Sequence, residues 1–183
     1  MSLNHTEYYG ILGMLKNLVH KMIVLEQWVC VVFSAIFIVM MMVQVVMRYL
    51  FVAPIYGIEE WVTAMMIWYC SMGVVVVYWE KGHAMIGFMT KYMNNGTQKF
   101  VLILSELIVI IIACVFIKTG LNLFWMQKDL KPIGGVPFNK SLYYALPIIV
   151  MGITMVIAGL FRLVETVVTK DVRELANERV SLD

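Results

Sequence analysis

The sequence predicts an all-α integral membrane protein with four transmembrane helices plus interfacial amphipathic helices, and three observations carry that prediction. The 183 residues are 62% hydrophobic and 14% charged, with a mean hydropathy of +0.85, against about 45–50% apolar and 25% charged in soluble domains. The excess lies in long runs free of charge, so it faces lipid rather than an enlarged core. Polar and Pro/Gly-containing segments separate the runs, as membrane loops do.

The first apolar run, 22–47, is broken only by Glu26, Gln27, Ser34 and Gln44. Its 26 residues span about 39 Å, more than the hydrocarbon layer, so the helix tilts or projects. Before it, 8–21 repeats Tyr8, Ile11, Leu12, Leu15, Leu18 and Val19 at helical spacing, as expected of a helix lying in the membrane interface. The second run, 61–79, has Trp61 and Trp79 at its boundaries, the aromatic-belt pattern of a span that just fits. The connector from Arg48 to Ile58 mixes aromatics with Pro54 and Gly57 and reads as interfacial.

The third run, 100–117, carries Ser105 and Glu106, meets Lys118 and continues toward Trp125. A second apolar stripe precedes it, with Met85, Ile86, Phe88 and Tyr92, before Asn94, Asn95 and Gly96 turn the chain. The fourth run, 143–161, contains Pro147, Gly152 and Gly159, which membrane helices tolerate and which predict close helix contacts. Residues 1–183 therefore read as a single membrane domain, with 162–183 as a tail. The polar opening around Asn4, His5 and Glu7 lacks the apolar core of a removable signal peptide.

With four spans, both termini and the middle loop share one side. Nine Lys and Arg fall there, Arg162 counted among them, against five opposite, Arg48 and Lys140 included. The positive-inside rule then places both termini in the cytoplasm. A net charge of +2, with basic residues scattered, excludes nucleic acid as a partner and leaves membrane lipid as the surroundings.

No phosphate loop, dinucleotide fingerprint or HExxH motif is present, so no catalysis is expected. His5, His20 and His83 flank the spans, which disfavours a bis-histidine haem, and Cys30, Cys70 and Cys114 sit within apolar runs as small hydrophobes. No cofactor or metal is expected. The sixteen methionines read as packing or lipid-facing residues.

Ionisable groups near the bilayer carry the remaining information, because each costs about 2.5–3.5 kcal/mol at the centre of a span and needs a partner. Glu106 lies about two turns inside the third helix. Lys81, Lys99 and His83 are its local candidates, and a paired structural carboxylate, a proton or substrate relay and a subunit contact stay open as its roles. Glu59 and Glu60 open the second helix, where the macrodipole alone favours acids. One could instead bind Arg48 or a partner subunit, with Gln44, a turn before Arg48, joining the same cluster.

Glu59, Glu60 and Trp61, followed by a span and then Glu80, Lys81, Gly82 and His83, resemble the small membrane subunit of tripartite ATP-independent periplasmic (TRAP) transporters, the DctQ-like family. The resemblance covers most of the chain. The family's turn usually reads basic, Gly, one residue or none, His, then an apolar residue, with an Asp four after the His; here Lys81, Gly82 and His83 match, while Ala84 and Gly87 stand at the last two places. The resemblance implies a non-catalytic subunit of a bacterial inner-membrane transporter. Its partners would be a large multi-spanning permease subunit (the M subunit) and a periplasmic substrate-binding protein (the P subunit), with sodium driving uptake of an organic acid such as a C4-dicarboxylate or sialic acid. The Met- and aromatic-rich spans look closest to sialic acid systems. Four helices without broken midplane segments also look incomplete as a transport path. The competing reading is a self-sufficient homodimeric proton-coupled exporter, which needs an essential carboxylate deep in a span.

Overall fold

A computed structural model describes residues 5–81, 95–132 and 139–168. The described residues form four helices: α1 (His5–Tyr49), α2 (Ile58–Lys81), α3 (Asn95–Gln127) and α4 (Lys140–Val168). Each is long and apolar enough to cross a bilayer, so the chain is a multi-pass membrane protein. In hydrocarbon only an intact helix satisfies its own backbone, which is why each apolar run folds as one unbroken element. Segments 8–21 and 22–47 are continuous within α1. The 82–94 segment, with its apolar stripe, lies outside the described residues.

α4 organises the packing. Helix neighbours run in the order α1, α2, α4, α3, with a minor contact between α1 and α4. Val75 and Val76 of α2, Ala113 of α3, and Met155, Ala158 and Phe161 of α4 join Val19 and Ile23 of α1 in the main core. α1 packs on α2 through stacked Phe33 and Trp68 (5.7 Å between ring centroids) and tilted Phe37 and Tyr69 (5.4 Å). None of the most apolar stretch of α1 is buried within the chain, against 44% of that of α4. α1 and α3 therefore present their apolar faces outward.

The α3–α4 contact is close because glycine permits it. A Cβ on Gly152 would lie 2.6 Å from Ile117 Cγ1 and 3.1 Å from the Ala113 carbonyl oxygen, and one on Gly120 would lie 2.7 Å from Ile149 Cγ1. Without an expelled-water term between helices in lipid, such backbone approach is a principal source of association. Gly152→Val is accordingly expected to cost about 1–3 kcal/mol through overpacking. A lowered melting temperature in detergent checks this; an unchanged one would mean that Ile117 yields freely.

Buried hydroxyls are satisfied locally. Thr154 Oγ1 donates to the carbonyls of Val150 (3.0 Å) and Met151 (3.1 Å), and Ser105 Oγ to Leu102 (2.8 Å). Lys99 Nζ donates to the Val167 carbonyl (2.8 Å), a cation on the negative end of α4. At the opposite end, Asn139 Nδ2 to Lys128 O (2.7 Å) and Lys140 N to Leu130 O (3.1 Å) draw the end of α3 toward the start of α4.

Candidate functional site

Two polar clusters lie at opposite ends of the helices. The first joins α2, α3 and α4. Glu106 is wholly buried on α3 and accepts a hydrogen bond from the Tyr78 hydroxyl. Arg162, 4% exposed on α4, lies with its guanidinium 4.7 Å from the Tyr78 ring centroid and 5.1 Å from that of Trp79. Its Nη2 donates to the Trp79 carbonyl in the last turn of α2. That carbonyl is among those a helix end leaves without an intrahelical partner, so the cation both caps the helix and meets the negative pole of its dipole. Tyr78 is the hinge of the cluster, its hydroxyl on the acid and its ring under the base. On α1, Glu26 is buried as well.

An acid, a phenol and a guanidinium drawn from three helices form a clamp. In a low-dielectric interior each group is costly alone and tolerable when hydrogen-bonded. The arrangement resists separation of α2, α3 and α4 at that level.

The second cluster joins the starts of α2 and α4 and the end of α1. Lys140 Nζ lies 3.3 Å from Glu60 Oε1, the side chains being 25% and 14% exposed. The Tyr143 hydroxyl donates to the same oxygen (3.3 Å), and Tyr144 packs on Tyr143 at 4.7 Å. Glu59 is exposed; its Oε1 accepts from Gln44 Nε2 (3.2 Å), which ties α1 to α2. Both acids stand in the first turn of α2, where the dipole favours them.

The structure thus divides the residues singled out in the sequence. Gln44, Glu59 and Glu60 come together, but Arg48 turns onto the Tyr49 ring, 6.0 Å from its centroid. Glu106 pairs with Tyr78, while Lys99, one of its expected partners, serves the end of α4. Glu80 is exposed and Lys81 closes α2; Gly82 and His83 lie outside the described residues. Arg162, read as the first residue of a tail, lies inside α4, because the helix runs on to Val168. Tyr78, Lys140, Tyr143 and Arg162 were not singled out as site residues. Tyr78 resembles any belt aromatic and Arg162 any flanking charge when only the linear pattern is read. The available signal was helical spacing, which sets Arg162 eight residues beyond Thr154 on one face of α4.

Comparison with known proteins gives this geometry its context. Over 127 residues, 68% of this chain, the sequence is 28% identical to the sialic acid TRAP transporter permease protein SiaT of Haemophilus influenzae (strain 86-028NP). The alignment covers 20% of that protein, so the chain spans about a fifth of the length of the curated relative it matches. The family model of the DctQ component of tripartite ATP-independent periplasmic transporters matches residues 37–169, which takes in both polar clusters, α2 through α4 and the end of α1. The chain therefore belongs to the DctQ component family of TRAP transporters, a transporter component and not an enzyme.

Proposed function

We propose that this chain is the small permease subunit of a sodium-driven TRAP transporter, and that it scaffolds a large permease subunit during uptake of an organic acid of the sialic acid class. The supporting observation is that its match in a sialic acid permease covers a fifth of that protein, which leaves most of the permease to parts that this chain does not match. The outward apolar faces of α1 and α3 suit a scaffold that packs against more protein and lipid. A periplasmic binding protein delivers the substrate. The chain lies in the bacterial inner membrane with both termini in the cytoplasm, as its basic residues favour. The second cluster then faces the periplasm. The exporter reading is weaker, because Glu106 is engaged by Tyr78 within a clamp of three helices.

Affinity purification from native membranes in mild detergent, followed by intact mass measurement, tests this proposal. A stoichiometric, larger multi-spanning protein is expected. Recovery only as a homodimer that moves protons or cations in liposomes would overturn it.

Within this reading Glu60 is committed to Lys140 and Tyr143, and Glu59, bonded to Gln44 but exposed, is the more accessible acid of that pair. Glu59→Gln is expected to lower the fraction of large subunit that co-purifies and to leave the melting temperature of the isolated chain nearly unchanged. Undiminished co-purification would remove Glu59 from the interface.

A further inference from the structure

The connector between α1 and α2 has a property that neither the clamp nor the scaffold role uses. From Tyr49 to Tyr56 every side chain is exposed, Val52 at 82% and Tyr56 at 81%, and no charged residue occurs between Arg48 and Glu59. The backbone is nonetheless held in place. Leu50 N donates to Val46 O (2.9 Å) and Ala53 N to Met47 O (3.1 Å), so these loop amides are satisfied by α1. Val52 sits at φ 52°, a left-handed conformation that a β-branched residue adopts only when its surroundings impose it.

A soluble surface rarely displays so continuous an apolar strip. Here the strip continues the outward apolar face of a membrane-spanning helix, since Met42, Val43 and Val46 on the last turns of α1 are exposed in the same way. Its composition is that of the interfacial layer: Tyr49 and Tyr56 carry a polar tip on an apolar ring, Phe51 and Leu50 are wholly apolar, and Arg48 stands at the base. The polar side chains next to the strip are instead tied between helices, Gln44 with Glu59 and Glu60 with Lys140.

We propose that the 49–56 loop is a lipid-inserted anchor, which seats Leu50, Phe51 and Val52 in the interfacial layer of the bilayer and fixes the depth of the α1–α2 hairpin. A segment of a partner protein is the competing occupant. The test places the photoreactive residue p-benzoylphenylalanine at position 51, or at 56 as a second variant, in the full chain within its native membranes. The same residue at exposed Asp129, at the same end of the molecule, is the control. After irradiation, intact mass should show phospholipid-sized adducts severalfold more abundant at 51 and 56 than at 129. Cross-linking to a larger protein in place of lipid would overturn the proposal, and so would a lipid yield no higher than at 129.

Discussion

Arg162→Met is expected to cost about 3–5 kcal/mol and to lower severalfold the yield of folded chain, because it removes one partner of a buried charged cluster. Three contacts go at once: the hydrogen bond to the Trp79 carbonyl, and the cation over each of the Tyr78 and Trp79 rings. Glu106, wholly buried and bonded to the same Tyr78, then loses the cation that holds that ring in place. Arg162→Lys should fall between the two, since an ammonium keeps the charge but neither stacks as a plane nor presents a fork of donors. The Arg162→Met, Glu106→Leu double variant should cost less than the sum of the two single changes, since both act on Tyr78. Thermal unfolding in detergent and the monodisperse fraction on size exclusion measure all three. A wild-type melting temperature for Arg162→Met would dissolve the clamp.

This dependence on three-helix geometry also explains what could be read in advance. Four spans were legible because a bilayer imposes length and apolarity on each segment independently, and the run from Trp61 to Trp79 needs no tertiary information. The small residues Gly152 and Gly159 likewise announced close packing, and a Cβ on either would strike α3. Pairing was less legible. Glu106 could be recognised as needing a partner, but its partner comes from another helix, and a phenol at a span boundary gives no sign of facing inward. Which base an acid at 59 or 60 meets stayed open in the sequence for the same reason. Arg48 and the acids at 59 and 60 share a level in the sequence reading, yet it is Lys140, beyond the Pro/Gly loop, that reaches Glu60. Helix ends were blurred too. The run of α4 seemed to stop at a charge, whereas Arg162 is buried by the neighbours it caps and the helix continues past it to Val168.

Glu106→Ala is the second large effect expected, and it separates a structural carboxylate from a relay. Truncation leaves the Tyr78 hydroxyl without its acceptor and opens space between α2 and α3. Losing the partner of a buried polar group costs about 1–3 kcal/mol, more where charge is involved. Expression and insertion of the folded chain should drop, while transporter complexes that do assemble should take up substrate at the wild-type rate per complex. Glu106→Gln sharpens the distinction. Its amide oxygen still accepts from Tyr78 in nearly the same volume, so a clamp keeps most of its stability, but an amide cannot carry a proton at neutral pH. Tyr78→Phe removes the donor instead and should reproduce part of the Glu106→Ala stability loss, again without a change in rate per complex. Uptake by the reconstituted complete transporter, normalised to assembled complex, is the measurement. Near-normal expression of Glu106→Gln with abolished uptake would assign the carboxyl group to proton or substrate transfer; normal uptake leaves Glu106 as the acid that fastens α3 to α2 and α4.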